Sequence, residues 1–352
     1  MKKILALVLA LAMVATFAAC GEKAPATAEY KLGMGISVSL DSSADIDVEK
    51  EKNATAQCDA TVATVVLDKD GKIVAADLDC AQTKVQVKDG KIVDIDKVDL
   101  RTKKEKKEDY AMKSASPIGK EWYEQAAAFA DKMVGKTLAD IEGIKTEEKN
   151  GHQVATDADL YAACTMDITA FKAAFVAACK DEQGKTFTAA EGFKLGLDVE
   201  TNVAGSTDYN AEKEANATAQ LYSTFGAIVV DADGKTLAAI VDEIQPKVEV
   251  DNDGKIAAKN YVNTKRGLKE DYNMVKFSAP GTCIAEWYVQ AKDLTDYIAS
   301  KAMTADEIKA IATADTRKDG YMRPTDADLA AKCTMQISGY QAVLANAIAV
   351  AK

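Results

Sequence analysis

Apolar and polar residues alternate along this chain with two different periods, and the pair of periods occurs twice. The runs Thr61-Val-Ala-Thr-Val-Val66 and Lys72-Ile-Val-Ala75 flank Asp68-Lys-Asp-Gly71. Asp-Gly supplies the positive φ of a tight turn, so the segment predicts a β-hairpin. Lys84-Val-Gln-Val87 and Lys91-Ile-Val93, around Lys88-Asp-Gly90, predict a second one. The period then lengthens. Ile118, Trp122, Ala126, Phe129, Ala130 and Met133 fall on one face of a helix over 118–133. Thr156-Asp-Ala-Asp159 is a capping signature for a short helix. A last helix starts near Thr169 and runs through Ala173, Val176 and Ala177. Strands followed by helices within one unit predict an α+β fold, an antiparallel sheet of hairpins with helices packed on one face.

The whole unit recurs. Tyr30-Lys-Leu-Gly33 returns as Phe193-Lys-Leu-Gly196, Asn53-Ala-Thr-Ala-Gln57 as Asn216-Ala-Thr-Ala-Gln220, and Asp68-Lys-Asp-Gly-Lys72 as Asp231-Ala-Asp-Gly-Lys235. Lys107-Glu-Asp-Tyr110 returns as Lys269-Glu-Asp-Tyr272, Glu121-Trp-Tyr123 as Glu286-Trp-Tyr288, and Cys164-Thr-Met166 as Cys333-Thr-Met335. The order never changes, so two homologous domains are expected at 28–181 and 188–352, joined by a polar linker at 182–187. Each is long enough to be expected to bury a core of its own.

The first twenty residues stand apart from this pattern. Lys2 and Lys3 precede an apolar or small run from Ile4 to Ala19, the layout of a signal peptide. The run ends Ala18-Ala19-Cys20-Gly21, which resembles a bacterial lipobox. The resemblance implies a signal peptide at 1–20, lipidation of Cys20, a tether at 21–27, and an extracytoplasmic protein anchored to the cell membrane by lipid. No later run approaches the roughly 18 apolar residues of a membrane span.

Composition narrows the function classes. The chain has 352 residues, 48% hydrophobic and 28% charged, with a net charge of −11, so a nucleic-acid partner is not expected. The one histidine, His152, is read as part of an exposed loop and has no counterpart in the second copy. No nucleophile-elbow, zinc-protease, P-loop or dinucleotide-binding motif occurs. The cysteines lack C-x-x-C spacing, so no metal is expected. Cys58 and Cys80 lie in strand territory and are open to two readings, a disulfide or two buried thiols. The D-x-D-G turns end in glycine too early for a calcium loop and lack its closing glutamate. Asn53-Ala-Thr55 and Asn216-Ala-Thr218 match the glycosylation pattern and are read as polar turns.

Three features occur in both copies and are candidates for a site. Basic segments place Lys103 and Lys104 in one copy and Lys265 and Arg266 in the other, where they could hold a phosphate or carboxylate. Trp122 and Trp287 are the only tryptophans and occupy equivalent positions, so their rings could stack on a flat ligand. Tyr110 with Met112, and Tyr272 with Met274, could line the same cavity. The third feature is Asp159-Leu-Tyr-Ala-Ala-Cys-Thr165 and its counterpart Asp328-Leu-Ala-Ala-Lys-Cys-Thr334. With the hairpins before it, this segment resembles the FMN-binding domain family of exported bacterial proteins. In that family a motif close to D-x-x-S-G-A-T carries FMN on its threonine. The resemblance implies that Thr165 and Thr334 lie beside a flavin, with a role in extracytoplasmic electron transfer. The family's Ser-Gly is Ala162-Ala163 here, or Ala331-Lys332, so no covalent adduct is expected.

The sequence therefore predicts a surface-tethered, non-enzymatic lipoprotein of two FMN-binding-domain-like repeats. Its ligand is expected to be flat and anionic, with FMN a candidate. The alternative is a structural or interaction lipoprotein whose repeats bind no cofactor.

Overall fold

The computed structural model describes residues 27–352; the signal peptide, Cys20 and all of the tether but Thr27 lie outside the described residues. The first repeat comprises β1 (Thr27–Ser39), β2 (Ala54–Leu67), β3 (Ile73–Lys88), β4 (Lys91–Val93), α1 (Lys103–Lys106), α2 (Trp122–Met133), α3 (Leu138–Glu142), β5 (Thr146–Lys149), β6 (His152–Ala155), α4 (Ala158–Ala163) and α5 (Thr169–Cys179). There follow β7 (Lys185–Ala190), β8 (Lys194–Asn202), β9 (Ala217–Gln220), β10 (Tyr222–Val230), β11 (Thr236–Ile244), β12 (Lys247–Val250) and β13 (Ile256–Asn260). The second repeat ends with α6 (Lys265–Leu268), α7 (Met274–Phe277), α8 (Trp287–Ser300), α9 (Ala305–Lys309), β14 (Thr313–Ala314), β15 (Arg323–Pro324), α10 (Ala327–Ala330) and α11 (Ser338–Ala349). The fold is α+β with antiparallel sheets, and the predicted hairpins are in place; the helix expected over 118–133 begins at Trp122, leaving Ile118 before it, and the short helix is capped by Asp157 rather than by Thr156, whose hydroxyl bonds the Lys145 carbonyl. His152 opens β6, paired with Lys149 and exposed, rather than lying in a loop.

The first sheet has the order β4-β3-β2-β1-β7. Its edge strand β7 includes half of the expected linker, which pairs with β1 from Leu32↔Lys185 to Thr27↔Ala190. The second half of the linker is thus an edge strand of the first repeat's sheet. β2 shows why its sequence reads as almost unbroken apolar. Its odd residues Ala63 and Val65 face α2 and α5, while its even residues Val62 and Val66 face away from the helices. The even face does not meet water. It packs on Leu195, Leu197, Phe225 and Ala227 of the second repeat, so one buried cluster is shared by both copies. The layers run helices, sheet, sheet, helices. The expectation that each copy buries a separate core holds for the outer helix layers only.

Two glycines set the distance of each outer layer. A Cβ on Gly33 would lie 2.2 Å from the Ala178 carbonyl oxygen of α5, and one on Gly196 would lie 1.9 Å from the Ala347 carbonyl oxygen of α11. The repeated Lys-Leu-Gly motif is therefore a helix-to-strand contact that has no room for a side chain.

The repeats differ at the long hairpin. In the first, β2 and β3 pair as one long hairpin from Ala54↔Val87 to Leu67↔Ile73, with a single register shift between Val66 and Leu67. In the second, Pro246 separates β11 from β12, and the strands fall into two three-stranded sheets. Proline has no N–H for the ladder, which accounts for the break.

The structure chooses between the two readings of Cys58 and Cys80. Cys58 belongs to the central core and Cys80 to the cluster under the helices, so the two project from opposite faces of one sheet as free thiols. No helix among the described residues is long and apolar enough to cross a membrane.

Candidate functional site

The duplicated motifs come together in space, in the same way twice. Tyr123 donates its hydroxyl to Glu108 at 3.1 Å, and Tyr288 donates to Glu270 at 2.7 Å. The Lys-Glu-Asp-Tyr turn is thereby bound to the Trp-Tyr helix in each copy. Glu121 accepts the backbone N–H groups of Met112 and Lys113, and Glu286 accepts those of Met274 and Val275. Sequence reasoning missed one further pair. The fully buried Gln125 accepts both the N–H and the hydroxyl of Thr165, at 2.9 and 3.2 Å. Gln290 does the same for Thr334, at 2.7 and 3.1 Å. The signal was present as Trp122-Tyr-Glu-Gln125 and Trp287-Tyr-Val-Gln290.

Both tryptophans are inside. Trp122 is 3% exposed and Trp287 2% exposed, so neither offers a face to a ligand. Trp122 packs edge-on against Phe171, with ring centroids 5.8 Å apart. Trp287 donates its indole N–H to the Tyr340 hydroxyl at 3.0 Å.

The four basic residues have internal partners. Lys103 lies over the rings of Tyr110 and Trp122, at 5.3 and 5.8 Å, with Asp59 at 3.8 Å. Lys104 binds the buried Asp77 at 2.6 Å. Arg266 turns away from the tryptophan and clasps both oxygens of Asp181 at 3.0 Å, which ties the end of the first repeat to the second. Lys265 sits in a cage of Tyr222, Tyr272 and Trp287, at 5.0, 5.0 and 5.7 Å, and binds Glu243 at 2.7 Å. Burial works against its charge, but Glu243 and the two tyrosines outweigh burial and raise its pKa above the ordinary lysine value. Burial, with Glu243 and Tyr222, likewise pushes the Tyr340 hydroxyl well up, so it remains a neutral donor and acceptor. Lys265, Arg266 and Trp287 thus do not form a phosphate cradle with a stacking ring, and the expected FMN contacts do not fit these side chains.

A cavity of about 830 Å³ nevertheless opens over this network in the second repeat, a volume suited to a small-molecule ligand. Lys265, Tyr272, Met274, Trp287 and Thr334, all singled out from sequence except for their orientation, line it. Its wall also carries Arg317, Arg323, Phe277 and Tyr321, which sequence reasoning missed. Phe277 is 79% exposed and Tyr321 55%, so these rings are open to a partner.

The charges on the wall sort into two ion pairs, with one cation, Arg317, and one acid, Glu200, left over. Lys265 binds Glu243, and Arg323 binds Asp319 at 2.7 Å. Arg317 donates to the Thr282 carbonyl and has no carboxylate partner among the described residues. Glu200 is the remaining acid on the wall, and burial, followed by Glu105, raises its pKa. The repeats can be compared position by position here. Tyr340 stands where the first copy has Phe171, Arg323 where it has Val154, and Glu243 where it has Cys80. The second copy has polar groups at places that are apolar in the first.

No family model, curated protein or solved structure matches this chain.

Proposed function

We propose that this chain is a tethered extracytoplasmic binding protein whose second repeat holds a flat, anionic small molecule, while the first repeat serves as its structural partner. One observation carries the reading: Arg317, a guanidinium without a carboxylate partner among the described residues, lines a cavity of about 830 Å³ together with the exposed residues Phe277 and Tyr321. Rings grip a planar ligand by stacking, and a guanidinium takes carboxylate or phosphate through paired N–H donors. The stacking role assigned from sequence to Trp287 passes to Phe277 and Tyr321, and the anion role of Lys265 and Arg266 passes to Arg317. FMN remains one member of this ligand class, held by these residues rather than by the expected ones, and electron transfer follows only for a flavin. The anchor on Cys20 and the export it implies belong to the same proposal.

The test is to purify the protein from its native envelope, release any bound molecule by denaturation, and identify it by absorption and mass. A stoichiometric aromatic anion, lost from Arg317→Ala, supports the reading. The alternative of an interaction lipoprotein without a ligand is favoured by the internal pairing of Lys103, Lys104, Lys265 and Arg266. A ligand-free protein of unchanged composition after the Arg317 substitution would support that alternative.

A further inference from the structure

A second cavity of about 680 Å³ lies beside the first, and the two share Gln245, Lys265, Tyr272, Met274, Phe277 and Ser278 as common walls. The short helix α7, ending in the exposed Phe277, is thus bordered by both. The far wall of the second cavity holds Tyr261, Lys247, Asn263, Leu268 and Asp271, so it carries an acid beside its cation. Three observations meet at Tyr261. The residue is 62% exposed, Lys247 Nζ lies over its ring at 5.5 Å, and its backbone φ is +61°. Lys247 has no carboxylate partner among the described residues.

Charge varies along the two cavities in a definite order. Arg317, held by the Thr282 carbonyl and without a carboxylate partner among the described residues, stands at one end. Lys265, in the shared wall, is neutralised by Glu243. Lys247, the ring of Tyr261 and the carboxylate of Asp271 stand at the other end. We propose that the two cavities are subsites of one cleft, and that its ligand is an elongated molecule with a ring at each end, joined by an uncharged middle. The first ring carries the anion that meets Arg317. The second lies on Tyr261, within reach of Lys247. This inference rests on the reading of the first cavity as a binding site and extends it to the class of ligand.

The test compares two dyes on the full chain by fluorescence titration. One is 8-anilinonaphthalene-1-sulfonate, an aromatic anion with a single naphthalenesulfonate unit. The other is its covalent dimer, bis-ANS, with two such units. Linking two groups that fit two adjacent subsites makes the second contact intramolecular and raises the affinity without new chemistry. The dimer is expected to bind at one per chain and about tenfold or more tighter than the monomer. Tyr261→Ala should remove that advantage while leaving the monomer within about twofold, and Tyr261→Phe should preserve it. Tyr261→Gly separates binding from folding. It relieves the positive φ, so the protein should be at least as stable as the parent, yet the advantage of the dimer should be lost. Equal affinities for the two dyes, or a dimer affinity indifferent to Tyr261→Ala, would overturn the two-subsite cleft. Arg317→Ala distinguishes the two levels. If it weakens both dyes while Tyr261 is silent, the single-cavity reading stands and the cleft falls. If it changes neither dye, both fall.

Discussion

The backbone N–H of Ile46, in the first repeat, donates to the carbonyl of Gly254, in the second, at 2.8 Å. The equivalent residues do the same in the opposite direction, with Tyr209 N–H donating to the Gly90 carbonyl at 2.7 Å. Side chains follow the same exchange: Asp45 accepts from Ile256 N–H at 2.7 Å, and Asp208 accepts from Ile92 N–H at 2.8 Å. Each copy thus gives the other what it receives. This is the self-complementary contact of a twofold dimer, written into one chain. It also explains the D-x-D-G and K-D-G turns further: Gly90 and Gly254, at φ +71° and +76°, leave space that Tyr209 and Ile46 fill.

The shared core makes the repeats interdependent. Fragment 27–190 on its own would expose Leu32, Met34, Val62 and Val66, which are fully or almost fully buried in the whole chain. Each such side chain stabilises by about 1.5–3 kcal/mol when buried. The full chain should therefore unfold in a single transition, and 27–190 should associate with itself through the same face. Light scattering after size exclusion, together with thermal circular dichroism, checks this. Monomeric fragments that each melt cooperatively at the temperature of the parent would contradict it.

Gly33→Val and Gly196→Val should each destabilise by about 3 kcal/mol or more, because the added carbons meet helix backbone rather than a side chain that can rotate away. Gly119→Ala, where an added Cβ meets nothing within 4 Å, should cost far less despite its φ of +61°. Urea midpoints of the three variants provide the comparison.

A buried acid gives a pH dependence of known sign. Asp198 occupies the position of Gly35, and its Oδ2 has no hydrogen-bond partner. Burial pushes its pKa up to about 7, opposed by Asn346 and assisted by Glu105, Glu200 and Asp79. Burial also brings Asp79 and Asp242 to about 6. A carboxyl whose folded pKa lies above its unfolded value holds its proton more tightly in the folded state. Its contribution is complete below about pH 4 and is lost as the pH rises through 7. Asp198→Asn should therefore gain stability over the parent at pH 8, with the gain shrinking to nothing by pH 4. Urea titrations at pH 4, 6 and 8 measure it. A gain independent of pH would contradict the assignment.

The anchor is tested separately. Cys20→Ala should move the protein from the membrane fraction to the soluble one, since acyl chains supply membrane affinity at about 0.8 kcal/mol per buried CH₂. Unchanged fractionation would remove the lipid anchor from the account.

Much of the fold was legible because local chemistry fixed it. Asp-Gly turns marked the hairpins, and the Trp122 to Met133 stripe marked α2. What was not legible depended on contacts distant in sequence. The strand β2 is buried on both faces, so its pattern does not say which partner covers the second one. For the site, equivalence of position was enough to group Lys265, Tyr272, Trp287 and Thr334. Their internal pairing was not visible, because Glu243 and Tyr340 come from other elements. Arg317 and Tyr321 did leave a trace. The offset between the copies rises from 165 at Trp122 and Trp287 to 169 at Asp157 and Asp326, so the second copy has four extra residues in between. The loop bearing Arg317 and Tyr321 lies within that interval.

The central claim, that a flat anion occupies the cavity of the second repeat, is tested most directly at Cys283. This thiol lines the cavity and is half-buried, bonded to the Ala285 carbonyl and to Gln290. Cys179, half-buried at the end of α5 in the first repeat, is an internal reference. Alkylation of both by iodoacetamide, followed by peptide mass spectrometry, should show Cys283 saturably protected as 8-anilinonaphthalene-1-sulfonate or FMN is added, with the rate at Cys179 unchanged. Equal rates at Cys283 with and without either compound, at concentrations where binding is saturated, would place the ligand elsewhere and contradict the account.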